Sequence, residues 1–424
     1  MTAILADTVL VKTLLAQMEA AGTCATLLGI GPVTDTVVRA AFEVAVEEGF
    51  PPMFIASRNQ VDLPELGGGY LMGGMDQARF VALIHDGADK AGYTGPLFIC
   101  RDHGGPWQRN AELDGCCPVD QALQIARRSF EADLLAGFNY IHVDPTKCPL
   151  PCTREDLIRW TVELVAFCEN VRRSHGLPAV DYEIGAEDIR GGQTDESEFE
   201  AFIVGALELF RQRELPTPTC VVGQTGTLTR LNRNEGAFDR AKARRLAAIA
   251  RKHGLGFKEH NSDYLDDDSL LLHPDVGVAG ANVAPEFGYV ETKALFSLAE
   301  AESRAAAAGR CLPAAPSEFR RCVVEAVHAA APWQKWLPSL LRRLPGEDMF
   351  QDLKTATLLA KVCGHYVLND PVVAAARERL FRNVAHLWGV SAPLEFVVVR
   401  VKGAIRRYVA HFRLTGLNAL MPEC

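Results

Sequence analysis

Pro96-Leu97-Phe98-Ile99-Cys100-Arg101-Asp102-His103-Gly104-Gly105-Pro106-Trp107 carries an apolar run into an acid, an imidazole and a glycine loop. The apolar part reads as a buried strand, so Asp102 and His103 stand side by side where that strand ends. In barrel-type α/β proteins the strand ends are where catalytic groups are displayed. A neighbouring Asp-His pair can put one group on a metal and leave the other to move protons. Taken alone, the pair fits a loop-capping aspartate beside a hydrogen-bonded histidine better. The rest of the chain shifts the balance.

Seven further apolar runs of the same kind surround this one. All eight, at 26–30, 53–57, 97–101, 140–144, 181–184, 219–223, 256–259 and 276–281, are rich in Val, Ile, Leu and Phe. They mostly do not alternate, as expected of strands buried on both faces. Helix-period segments lie between them, including 77–91, 122–137, 154–175, 196–210, 237–253 and 289–308, with a shorter one at 265–272. Eight β-then-α units in this space match the ~250-residue (β/α)8 TIM barrel. An open doubly wound sheet normally has fewer strands, and no GxGxxG turn opens a helix after the first one. The expected architecture is therefore α/β, a TIM barrel over 1–309. Beyond it, 310–424 is expected to be an all-α appendage, with helical stretches at 317–331, 349–366, 372–387 and 398–412.

The 424 residues are 48% hydrophobic and 23% charged, which suits a globular protein with a large core. A net charge of −9 argues against nucleic acid or an anionic membrane as partner. No stretch approaches the roughly 20 apolar residues of a membrane span. The start, Met1-Thr2-Ala3-Ile4-Leu5-Ala6-Asp7, lacks the features of a secretion signal. The 12 cysteines are accordingly expected to be reduced thiols of a cytoplasmic protein. Cys148 and Cys152, near Cys116 and Cys117, have irregular spacing and no histidine among them, which argues against a zinc knot.

The strand ends are polar in otherwise apolar surroundings. In order they deliver Ser57-Arg58-Asn59-Gln60, Asp102-His103, His142 and Asp144, Glu183 and Glu187, Gln224 and Thr225, Glu259 to Asp263, and Asn282. Any one of them reads as a cap or a turn residue. Their recurrence at nearly every strand end is harder to attribute to packing, because buried polar groups cost stability unless paired. His103, Glu187 and His260 are the first expected ligands of one divalent cation. Gln224, His142 or Asp144 would be the fourth. Two imidazoles and a carboxylate suit Zn²⁺, and Mn²⁺ or Co²⁺ less specifically. Asp102 is then left free as acid or base, and Glu187 is the second expected catalytic carboxylate.

Collinear motifs add a resemblance. Ile55-Ala56-Ser57-Arg58-Asn59-Gln60-Val61-Asp62 with Gly68-Gly69-Tyr70, Arg101–Pro106, Ile141-His142-Val143-Asp144, Gly185-Ala186-Glu187 with Gly191-Gly192, and His260-Asn261-Ser262-Asp263-Tyr264 follow in order. Pro393-Leu394-Glu395-Phe396 comes near the end. Together they resemble the family of the so-called non-catalytic subunit of D-tagatose-1,6-bisphosphate aldolase. Some of its members were once labelled tagatose-6-phosphate kinases, and others are hexulose-6-phosphate 4-epimerases. A more distant likeness to class II, zinc-dependent aldolases implies a metal at His103, Glu187 and His260. Those aldolases have a third histidine on strand six, where this chain has Gln224. Arg58 and Arg101 stand where the family usually has small or neutral residues.

Two activities follow as expectations. One is a metal-dependent epimerase acting at C4 of a tagatose or fructose 6-phosphate by a retro-aldol and aldol route, with a plain aldolase as a variant. In it Asp102 moves the C4 hydroxyl proton, Ser57, Asn59, Gln60, Asp144 and Asn282 bind the sugar, and Arg58 or Arg101 meets the phosphate. The other is a non-catalytic barrel that stabilises a separate class II aldolase subunit. A homo-oligomer is expected in either case. Kinase activity is least favoured, since the chain has no G-x-x-x-x-G-K-[ST] loop.

Overall fold

The computed structural model describes residues 10–185, 193–332, 350 and 352–421. Eight parallel strands close a barrel. They are β1 (Leu27–Ile30), β2 (Met53–Ala56), β3 (Phe98–Gly104), β4 (Tyr140–Val143), β5 (Asp181–Gly185), β6 (Cys220–Val222), β9 (Gly256–Glu259) and β10 (Val278–Val283). β1 pairs with both β2 and β10, which seals the ring. β6 neighbours β9 because β7 (Thr229–Arg230) and β8 (Arg233–Asn234) form a separate antiparallel hairpin between them. The TIM barrel expected from the periodicity is the fold found.

The helices of the ring are α2 (Asp35–Glu48), α3 (Gln77–Ala91), α5 (Val119–Ala136), α6 (Arg154–Ser174), α7 (Glu196–Gln212), α8 (Arg240–Lys252), α9 (Asp267–Val276) and α10 (Pro285–Ala307), with a short α4 (Asn110–Asp114) between β3 and α5. Their ends are written in the sequence. Thr153 and Asp156 make a reciprocal capping box at the start of α6. α2, α3 and α5 all stop at a glycine in the left-handed region, Gly49, Gly92 and Gly137. Phe42, Phe54, Phe80, Phe98 and Phe138 are buried between strands and helices.

Two parts of the structure go beyond the sequence expectation. α1 (Val11–Ala20) precedes the first strand and buries Val11, Leu14 and Met18. The β7–β8 hairpin occupies a polar segment with no periodicity to betray it. After the barrel come α11 (Phe319–Ala330), α12 (Leu353–Cys363), α13 (Pro371–Trp388) and α14 (Leu394–His411). α11 to α13 pack with α10 around a second apolar core that includes Leu295, Phe319, Val323, Leu359 and Leu380. α14 turns back onto the barrel, and its Val398, Val401, Ile405 and Tyr408 join the main core. Among the described residues no helix is long and apolar enough to cross a membrane.

Candidate active site

β3 does the first positioning. Its Cys100 and Arg101 pair with Tyr140 and Ile141 of β4, but the next pair is Gly104 with Val143. One extra residue is absorbed there, and His103 adopts a φ of 44°. That backbone region is costly for a residue other than glycine and is found where surrounding structure enforces it. The bulge lets two consecutive residues, Asp102 and His103, serve the same interior. Arg101, one residue earlier, points outward to Asp133 on α5.

Three histidines meet at the carboxyl ends of the strands. His103 from β3, His142 from β4 and His260 just beyond β9 each offer a donor atom, all within 4.8 Å of one another. His103 Nδ1 lies 2.7 Å from Asp144 Oδ2, whose other oxygen accepts from the Thr146 amide and hydroxyl. His260 Nε2 lies 2.7 Å from Glu183 Oε1. A carboxylate only accepts, so each of these ring nitrogens carries a proton and the opposite nitrogens are left facing the cluster. Those opposite nitrogens, His103 Nε2 and His260 Nδ1, are 3.0 Å apart. Two lone pairs cannot face each other at that distance unless a proton or a cation lies between them.

The surrounding charges are fixed as well. Burial pushes the His142 imidazole down to about 3, so it is neutral. Its Nε2 is buried and has no hydrogen-bond partner among the described residues. Burial alone would raise Asp102, but His103, His260 and Lys258 hold it below the usual carboxylate range. Asp102 Oδ1 accepts from Asn282 Nδ2 at 2.9 Å and lies 3.6 Å from His260 Nδ1. Burial likewise opposes ionisation of Asp144 and Glu183. His103 keeps Asp144 well below its ordinary value, and Lys258 does the same for Glu183. The result is an ionised carboxylate beside a set of nitrogen donors suited to a divalent cation.

Residues 12–397 match the family described as D-tagatose-1,6-bisphosphate aldolase subunit GatZ/KbaZ-like. The chain belongs to this family. Among solved structures, it is similar to a Sinorhizobium meliloti 1021 protein described as a probable tagatose 6 phosphate kinase. The identity is 22% and the TM-score 0.72, covering 91% of this chain and all (100%) of the other. It is also similar to the fructuronate-tagaturonate epimerase UxaE from Cohnella laeviribosi. There the identity is 11% and the TM-score 0.57, covering 92% of this chain and 81% of that one. At these identities both likenesses speak to the fold.

On this GatZ/KbaZ-like barrel, His103, His260, Asp102 and Asn282 come together as the sequence suggested. His142 joins the histidine cluster. Glu187, and the Gly191-Gly192 pair after it, lie outside the described residues. Gln224 is buried at the end of β6, where its backbone is tied to Thr194. Asp144 has both oxygens engaged, one on His103 and the other on Thr146.

Arg58 and Arg101 correct the expectation of a phosphate contact. Arg58 is fully buried against Asp62, Glu112 and the Gly105 carbonyl. Arg101 is bidentate to Asp133 and donates to the Ala56 and Val61 carbonyls. Their guanidinium groups are consumed inside the wall. Asn59 is spent on Gln108 and Asn110, and the Gln60 side chain accepts from the Ser57 amide, so all three of Ser57, Asn59 and Gln60 build the loop after β2. Sequence reading missed Lys258. The only signal was a charged residue inside the short strand run Gly256-Phe257-Lys258-Glu259.

Proposed function

We propose that this chain is a divalent-metal-dependent epimerase acting at C4 of a ketose phosphate of the tagatose or fructose 6-phosphate type. The observation that carries this reading is the 3.0 Å approach of His103 Nε2 to His260 Nδ1, with each ring's other nitrogen on a carboxylate and Asp102 beside them. His103, His260 and His142 would hold the ion, with Zn²⁺ the best fit to an imidazole set. When bound, it would supply Lewis-acid polarisation of the ketose oxygens. Family membership supports a reaction on a tagatose-related sugar phosphate.

The chain's own residues supply the proton chemistry. Asp102 is ionised and can accept the C4 hydroxyl proton as the C3–C4 bond breaks. Asn282 holds that carboxylate in place through its Nδ2. After the aldehyde fragment rotates, Asp102 returns the proton as the bond re-forms on the other face. Burial that pushes His142 down to about 3 makes its ring too weak a base to compete for the departing proton.

Incubating the protein with Zn²⁺, Mn²⁺ or Co²⁺ and the ketose 6-phosphate, and following the C4 epimer by NMR, tests the proposal. Release of a triose fragment would make the protein an aldolase instead. Absence of turnover across a panel of ketoses and their phosphates would overturn the catalytic reading.

A second reading has one observation of its own, because the family is described as an aldolase subunit. In that reading the barrel stabilises a class II aldolase. Co-purification with such an enzyme, unaffected by His103→Ala, would favour it.

A further inference from the structure

We propose that Glu183 and Lys258 are positioning residues that fix His260 and set how tightly the histidine cluster holds its cation. This rests on the divalent-cation reading above. Lys258 Nζ lies 2.7 Å from Glu183 Oε2, and both side chains are buried inside the barrel, 3% and 0% exposed. Lys258 Nζ also sits 5.0 Å from the centre of the Tyr140 ring. Two charges taken out of water here cost more than an apolar pair of similar volume would. Stability therefore gives no reason for their presence.

Their geometry does. Glu183 turns its second oxygen, Oε1, to His260 Nε2 at 2.7 Å, and the same oxygen is 3.5 Å from His142 Nδ1. The carboxylate thus fixes the proton of His260 on Nε2 and aims Nδ1 at His103. A carboxylate behind a ligating imidazole locks its tautomer and orientation and strengthens its lone pair. Asp144 does this for His103. Glu183 does it from deeper in the barrel, and Lys258, its Nζ 2.7 Å from Oε2, is the cation that faces it there. The proposed proton transfer passes through neither residue, and the contact of Glu183 with His260 makes affinity for the ion the direct readout of the pair.

The test measures Zn²⁺ affinity by competition with a chromophoric chelator, alongside Tm. E183L/K258M removes both charges at once and leaves no unpaired buried ion. It is expected to fold with a Tm at or above that of the wild type and to bind Zn²⁺ about ten- to a hundredfold more weakly. E183Q/K258M keeps an amide oxygen that accepts from His260 Nε2, and its affinity should fall between the two. A merely structural pair would lower Tm and leave affinity alone. Unchanged affinity in a folded E183L/K258M overturns the proposal. If that variant does not fold, wild-type affinity in E183Q/K258M overturns it equally. A wild-type protein that takes up no Zn²⁺ defeats the cation reading itself, which is a separate failure.

Discussion

Asp102 keeps its negative charge although it is largely buried, because two histidines and Lys258 surround it. An amide at this position preserves the shape and the Asn282 contact but accepts no proton. D102N should therefore lose about a hundred- to ten-thousandfold in the proposed epimerase turnover, with the Zn²⁺ taken up by the protein unchanged by metal analysis. Asp263 presents the opposite case. Burial and the neighbouring Glu286 push its carboxyl up to about 8, while its Oδ1 accepts the Ala284 and Glu286 amides at the start of α10. A carboxyl raised in the folded state costs nothing while protonated in both states, so its penalty grows from about pH 4 and is complete above about 8. Wild-type Tm should fall across that window, and D263N, which keeps the accepting oxygen, should flatten the decline. Asp102, His103, His260 and Asn282 were legible in the sequence because each closes an apolar run at a strand end. Arg58 and Arg101 misled, since charge near a strand end says nothing about which way the side chain turns.

At the scale of elements, the bulge in β3 is what brings adjacent Asp102 and His103 to one interior, and no periodicity encodes it. A regular strand would send one of the two to the helix side. The ring helices were readable to within a few residues, because their apolar faces and their Ser/Thr/Asp and Gly ends are local signals. α1 and the β7–β8 hairpin were not. One is a short helix without a side-chain cap, and the other is a polar turn only twice two residues in strand. β3 is joined to α5 by Arg101, whose two hydrogen bonds to Asp133 are entirely shielded from water. Removing one partner strands the other, so R101M should destabilise the protein by about 3–5 kcal/mol in denaturant unfolding. R101M/D133L should recover most of that loss.

Over the whole molecule, the barrel and the helices after it share their packing. α14 lies against α2, where Lys402 bridges Glu43 and Glu47, and its Tyr408 hydroxyl donates to Glu286 and lies 3.1 Å from the Ser262 carbonyl. Y408F should cost about 1–2 kcal/mol by thermal or chemical unfolding. The loss should also be felt at His260, two residues from Ser262, as weaker Zn²⁺ retention. The sequence announced an α-helical region after the barrel, but nothing in its pattern told which helix would return to the first one. Because Val398, Val401, Ile405 and Tyr408 complete the main apolar core, a nascent chain on the ribosome would carry a cylinder with one flank uncovered until α14 had been translated. Emergence of that helix from the exit tunnel, more than any earlier step of synthesis, would then be the moment at which this flank of the core is first shielded from water.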